Sequence, residues 1–284
     1  MSEQIDTALR WAAEQMETCS DSARLDAELL LSHCLEKPRS YLYSWPAEKL
    51  SDSCWLSFRA LVHRRLEPTP VAYLLGKREF FSMEFATSPA ALVPRPETEL
   101  LVELALNEIP LDQPLRVCDL GTGAGVIAIA LKKNRPRLRV YATDVDPACL
   151  ALARDNALTH GVEIDFIESD WYAGLAPGST FDLIVSNPPY IAADHPFLTE
   201  GDLPAEPAIA LSPGNSGLEA IDTIVGESPR YLAPGGVLLI EHGYDQQAAV
   251  ADLLQARDFV EIRCAFDHND LPRVSRGRLD EPGR

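Results

Sequence analysis

Long apolar runs are missing from this chain. Its apolar runs, such as residues 237–240, fall far short of the roughly 20 residues that cross a bilayer, so no membrane passage is expected. The opening MSEQIDTALRWAAEQMETCS carries acids and no apolar centre, which argues against a secretory leader. Cysteine is sparse and scattered: Cys19, Cys34, Cys54, Cys118, Cys149 and Cys264 form no CxxC pair. Disulfide frameworks and structural zinc both need closer clustering, so a reduced, cytoplasmic, metal-free protein is expected. Positive charge is also short, with 25 Lys+Arg against 43 Asp+Glu and a net charge of −18. Such a surface repels phosphate backbones and disfavours a general nucleic-acid binder.

What is present is globular in composition, 46% hydrophobic and 24% charged. The acidic excess is uneven. Residues 1–96 carry 11 basic and 13 acidic side chains, and residues 97–284 carry 14 and 30. A shift that sharp predicts two bodies with different surfaces. The first 70 residues read as helices. Residues 22–36 place Leu25, Leu29 and Leu30 at helical spacing, and residues 51–66 form a second amphipathic segment with Ser51 or Asp52 as N-cap. A small helical bundle over 1–75 follows, expected to serve substrate recognition. Residues 76–96 read as a hairpin and linker, with Phe80, Phe81 and Phe85 followed by Pro89, Pro94 and Pro96.

From residue 97 the pattern alternates. Helices are expected at 97–108, 124–133, 147–160, 218–232 and 245–256, and strands at 115–120, 138–143, 162–167, 181–186, 237–241, 259–266 and 273–279. This rhythm predicts an α/β domain with a mostly parallel sheet covered by helices.

The first of these strands runs into Asp-Leu-Gly-Thr-Gly-Ala-Gly at 119–125. Ligands bind open α/β sheets at strand carboxyl ends, and glycines let backbone approach them closely. The third glycine comes one place too early for a dinucleotide fingerprint, and no pyrophosphate lysine follows. Asp119 can hold a cationic or amino-bearing ligand group. Together with Gly121, Thr122, Gly123, Ala124 and Gly125 it favours S-adenosyl-L-methionine, a sulfonium nucleoside without phosphates; a purely structural turn is the competing reading. Asp144 ends the second strand, where a carboxylate can accept both hydroxyls of a ribose, with Asp146 as a competitor. After the third strand, Asp170 and Trp171 suit an adenine, one pairing with its amine and the other stacking; ordinary rim packing of Trp171 is equally open.

Asn187-Pro188-Pro189-Tyr190 ends the fourth strand and should face the same crevice. Two prolines remove two N–H donors. The Asn187 side-chain oxygen and the Pro188 carbonyl remain as acceptors, and Tyr190 offers a flat ring. That set complements the NH₂ of a planar amide or aromatic amine. Acceptors that bind more strongly as this nitrogen turns tetrahedral and positive would favour the transition state.

In combination these motifs resemble the PrmC/HemK family of release-factor glutamine N5-methyltransferases. The resemblance rests on 119–125, 187–190, Pro94-Arg-Pro-Glu-Thr-Glu99, Ser169-Asp-Trp171, Glu206-Pro207 with Ala210-Leu211, Glu241-His-Gly243 and the segment PVAYLLGKREFFSMEF. It implies a class I methyltransferase, Rossmann-like, with S-adenosyl-L-methionine held by Gly121–Gly125, Asp144 and Trp171 and with Asn187 at the methyl position. It implies the glutamine of a Gly-Gly-Gln motif in peptide chain release factors as substrate, held by Asn187–Tyr190. Arg95 and Glu97 would sit at the cofactor or substrate mouth, or form a domain-junction salt bridge. The alternative is adenine N6-methylation of DNA or RNA, which needs the same acceptors but a basic groove that this acidic domain lacks. A cofactor-binding regulator would leave the pairing of Asn187 with Tyr190 unexplained. A monomer without direct nucleic-acid contact is expected. His242 reads as structural or as lining the crevice without titrating, Arg64-Arg65 as a solvated face or a contact for an acidic partner, and 190–211 as a loop without helix or strand that is either a lid or simply mobile.

Overall fold

The computed structural model describes residues 3–280, which divide into two units. One runs to Lys77 and also includes Pro196–Glu206; the other comprises Arg78–His195 and the chain from Pro207 onward.

The first unit is helical: α1 (Ile5–Met16), α2 (Ala23–Leu35), α3 (Arg39–Ser44), α4 (Asp52–Arg65) and α5 (Val71–Leu75). Ile5, Ala8, Leu9, Ala12 and Met16 make one stripe of α1 at the three-and-four spacing of a buried face. They pack with Leu30 and Leu31 of α2 and Phe58 and Val62 of α4. Ser51 caps α4 by accepting from the Cys54 N–H at 3.1 Å.

Two expectations fail in this unit. Leu25 is exposed, and the buried face of α2 is Asp26, Ala27, Glu28, Leu30 and Leu31. The two acids are buried because arginines reach them: Arg65 Nε binds Asp26 at 2.9 Å, while Arg24 and Arg39 hold Glu28 at 2.9 and 2.6 Å. Arg65 is therefore no solvated residue. It is 3% exposed and its Nη1 also pairs with Asp202 at 2.7 Å.

The second unit begins one residue into a hairpin of β1 (Lys77–Phe80) and β2 (Met83–Ala86), turned at Phe81 and Ser82, both with positive φ. Beyond α6 (Thr98–Glu108) come β3 (Arg116–Leu120), α7 (Val126–Asn134), β4 (Arg139–Asp144), α8 (Pro147–His160), β5 (Asp165–Glu168) and β6 (Phe181–Ser186). Then follow α9 (Ala208–Leu211), α10 (Glu219–Glu227), β7 (Leu232–Glu241), α11 (Gln247–Gln255), β8 (Phe259–Phe266) and β9 (Pro272–Leu279). The sheet order is β5-β4-β3-β6-β7-β9-β8. The first five strands are parallel, and β9 runs antiparallel between β7 and β8. The α/β fold with a mostly parallel sheet is thus as expected. β3 and β6 are buried along nearly their whole length, as helices on both faces require.

The chain builds outward from β3 through β4 to β5, then returns to β6 on the other side. The switch point lies between β3 and β6, and a crevice opens at their carboxyl ends. The Ser186 hydroxyl donates to the Leu120 carbonyl at 2.8 Å there, tying the two strand ends together. Differences from expectation have local causes. The helix expected over 218–232 stops at Glu227 because Pro229 follows, leaving one 3₁₀ turn, and β7 starts five residues early. The segment 190–211 is not bare loop: it holds 3₁₀ turns at Pro196–Thr199 and Leu203–Ala205, and α9. Its prolines and acids disguise any periodicity. No helix among the described residues is long and apolar enough to cross a membrane.

Candidate active site

A cleft of about 450 Å³ lies over the strand ends of the second unit, within the range of roughly 300–1,000 Å³ usual for small-molecule sites. Its floor is the glycine loop. Thr122 N–H donates to the Thr143 carbonyl at 2.8 Å, and Gly123 N–H donates to Asp144 Oδ2, also at 2.8 Å. Two glycines are required by geometry. Gly121 has φ +70°, and a Cβ there would come 3.2 Å from the Trp171 ring. Gly125 has φ +83°, and its Cβ would meet Ala153 Cβ at 3.0 Å.

Asp144 lines the cleft. Its two oxygens accept from the N–H groups of Gly123 and Asp146, and burial, outweighing those bonds, raises its pKa. Each oxygen keeps a lone pair for a further donor. Asp146, the competitor, accepts from Ala148 N–H as the cap of α8, though it also touches the cleft. Trp171 lines the cleft in a left-handed conformation (φ 48°), held where Ser169 Oγ donates to its carbonyl at 2.8 Å and accepts from Gly174 N–H at 2.7 Å. Asp170 and Arg95 also reach the cleft.

Asp119 does not. It is fully buried beneath the loop, where Oδ2 accepts the Thr122 hydroxyl at 2.6 Å and the Ala128 N–H at 3.3 Å. Burial pushes its pKa up to about 7. Its two bonds tie the glycine loop to the first turn of α7. Gly125, Pro188, Tyr190 and Glu97 likewise lie off the cleft lining, while Gly121, Thr122, Gly123, Ala124, Asn187 and Pro189 lie on it.

Asn187 is held from behind. Its Nδ2 donates to Thr98 Oγ1 at 2.9 Å. Thr98 in turn hydrogen-bonds toward Glu241, which also receives the Tyr190 hydroxyl at 3.3 Å on Oε1. Glu241 is fully buried at the end of β7, and burial lifts its pKa to about 7 against the pull of Thr98, Tyr190 and Arg273. The Tyr190 hydroxyl therefore points inward to Glu241; burial and Glu241 raise its pKa. His242 is buried too, with Nδ1 facing the Gly243 carbonyl at 2.8 Å and Nε2 facing Ser275 Oγ at 2.9 Å. Burial lowers its pKa, and it does not line the cleft.

Sequence reasoning missed Thr98, although it sits inside the 94–99 motif, and it missed the wall made by Ile209, Ala220 and Thr223 from α9 and α10. Chemically, the cleft offers carboxylates at Asp144, Asp146, Asp170 and Glu219, a single guanidinium at Arg95, apolar wall and no lysine. That acceptor-rich set, with acids outnumbering the one arginine, suits a polar, uncharged or cationic nucleoside and disfavours a pyrophosphate.

Residues 7–76 match the family described as PrmC N-terminal domain, and residues 96–200 match the methyltransferase small domain. The chain is 47% identical over 261 residues to the release factor glutamine methyltransferase of Burkholderia pseudomallei, covering 90% of this chain and 92% of that one. It is 43% identical to the protein of the same name from Vibrio cholerae, with 98% of both covered. The chain belongs to the release factor glutamine methyltransferase family. Solved structures agree on the fold: a Pyrococcus furiosus methyltransferase aligns at a TM-score of 0.54 and 17% identity over 71% of this chain and 91% of that one. A 16S rRNA N2 G1207 methyltransferase from T. thermophilus aligns at 0.53 and 19% over 72% of this chain and 49% of that one.

Proposed function

We propose that this chain transfers a methyl group from S-adenosyl-L-methionine to the side-chain nitrogen (N5) of the glutamine in the Gly-Gly-Gln motif of peptide chain release factors. The observation that carries the reading is the opening of Asn187 and Pro189 into the same cleft as Gly121–Ala124 and Asp144. The methyl acceptor's clamp and the donor's seat thereby share one floor. Asp144 offers its spare lone pairs to the ribose hydroxyls, Trp171 and the apolar wall flank the adenine, and Asp170 is placed to accept from its amine. Arg95 lines the cleft, and Glu97, two residues on, lies off its lining. The cofactor supplies an electrophilic methyl group on a sulfonium.

The chain's own contribution is positioning and hydrogen bonding. An amide nitrogen is a poor nucleophile because its lone pair is delocalised into the carbonyl. The Asn187 carboxamide oxygen and the Pro188 carbonyl accept its two N–H groups, and both bonds strengthen as positive charge builds on nitrogen. Holding the nitrogen in line with the methyl group supplies the rest of the acceleration. No side chain needs to act as a strong base, since the methylated nitrogen sheds its extra proton afterwards. The helical unit serves recognition of the release factor, and the acidic second unit attracts a protein loop that itself works against ribosomal RNA.

Labelled methyl donor offered to the purified chain with a release factor, with a Gly-Gly-Glu release factor, and with duplex DNA tests this. Label in the Gly-Gly-Gln factor alone is expected; label in nucleic acid but not in the factor refutes it. Asn187→Ala should lose turnover by several kcal/mol, on the order of a thousandfold, while binding of S-adenosyl-homocysteine survives.

A further inference from the structure

A carboxamide has an accepting end and a donating end of nearly the same shape. Only one end of Asn187 suits an amide substrate, so something must choose it. The donors behind Asn187 run in one direction. Its Nδ2 gives a hydrogen to Thr98 Oγ1 at 2.9 Å. Thr98, 3% exposed at the first position of α6, carries a single hydroxyl proton and has to give it onward once its oxygen is accepting. Glu241 is the group that receives it. The Tyr190 hydroxyl also donates to Glu241, at 3.3 Å on Oε1, so both hydroxyls favour Glu241 as the accepting end. Glu241 Oε2 has no hydrogen-bond partner among the described residues, which leaves its lone pairs open to a donor.

We propose that Thr98 and Glu241 are positioning residues: they set the polarity of the Asn187 carboxamide so that its oxygen faces the methyl-accepting side chain, and thereby make the site select glutamine over isosteric glutamate. The proposal rests on Asn187 acting as the amide clamp, as put forward above. An inward oxygen accepts from the glutamine NH₂ and meets only lone pairs on a glutamate. Without the Thr98 hydroxyl, the two orientations of Asn187 differ only by what the ligand offers. The carboxamide then turns to give N–H to a carboxylate, and discrimination is lost as well as rate.

The test measures binding with the full-length chain saturated with S-adenosyl-homocysteine. The probes are a release-factor domain carrying Gly-Gly-Gln and the same domain carrying Gly-Gly-Glu. The wild type is expected to prefer glutamine on the order of a hundredfold or more. Thr98→Ser, which keeps the hydroxyl, should stay close to that ratio. Thr98→Val should bring it below about tenfold while S-adenosyl-homocysteine affinity stays within about twofold of wild type. Thr98→Ala, read alongside, guards against a valine methyl that cannot be accommodated. A glutamine preference that survives in both Thr98→Val and Thr98→Ala overturns the proposal. A wild type without any glutamine preference fails differently: it removes the amide clamp itself, and this inference with it.

Discussion

Replacing Asp119 by asparagine removes a buried charge while keeping the shape of the side chain. The carboxyl lies fully buried, with Oδ2 holding Thr122 and Ala128 and Oδ1 without a hydrogen-bond partner among the described residues. Burial is the largest influence on it, lifting its titration from an ordinary 3.8 to about 7; the two hydrogen bonds oppose the rise and nearby Asp144 adds to it. A folded-state pKa above the unfolded one stabilises the fold fully below the unfolded value, and that contribution is lost as pH rises through the folded value. For Asp119 the window runs from about 4 to about 7, and at about 1.4 kcal/mol per tenfold the full swing is at most about 4 kcal/mol. Asparagine does not titrate. Against its gain at high pH stands an N–H placed where Oδ1 had no partner, a pH-independent cost of about 1–3 kcal/mol. The variant should therefore be the less stable protein near about pH 4.5 and draw level with or pass the wild type near about pH 8. Urea unfolding across that range, followed by Trp171 fluorescence with Trp11, Trp45 and Trp55 changed to phenylalanine in both proteins, reads the difference. Other raised acids such as Glu241 cancel in the subtraction. A wild-type-minus-variant stability that stays flat with pH would refute a neutral titration of Asp119.

Gly125→Ala should cost about 2 kcal/mol or more, because a left-handed φ is combined with contacts of 3.0 Å to Ala153 and 3.1 Å to Ile129. Gly161→Ala, also at positive φ but with nothing within 4 Å, should cost only about 1–2 kcal/mol; melting temperatures of the two variants rank them. Arg65→Met should destabilise the helical unit by about 3–5 kcal/mol by stranding Asp26, and adding Asp26→Asn should recover much of the loss in thermal unfolding. If the acidic surface steers the release factor, the association rate should fall steeply with added salt while turnover at saturation barely changes; a salt-independent rate excludes steering.

The sheet unit was largely legible because its signals are local. The end of β6 at Ser186, Pro147 opening α8 and the span of β8 all follow from apolar runs bounded by Pro, Gly or Asp. Motifs at strand ends then had to meet at one edge, since parallel strands present their carboxyl ends together. What escaped depends on partners distant in sequence. Asp26 and Glu28 break the apolar stripe of α2, and only the arginines that reach them explain why they are inside while Leu25 is out. Asp119 sits where a ligand-holding acid would sit, yet Thr122 and Ala128 turn it inward. The inward hydroxyl of Tyr190 needs Glu241, 51 positions away. The wall from α9 and α10 was hidden for a different reason: the four residues of α9 are too few to show a period, and nothing local in the expected helix of α10 says that Ala220 and Thr223 face a cleft.

The helical unit is not contiguous in the gene. Eleven residues from the far side of the Asn-Pro-Pro-Tyr motif, Pro196–Glu206, belong to it, and Arg65 clasps one of them, Asp202. A chimera that grafts the first 77 residues of a relative onto this chain would therefore import half of a paired surface. The donor's counterpart of 196–206 should travel with its bundle, and a truncation that begins at Arg78 removes the arginine that pairs with Asp202. Exchange of recognition modules between relatives is thus a two-crossover event, a constraint that library designs and readings of natural recombination in this family have to respect.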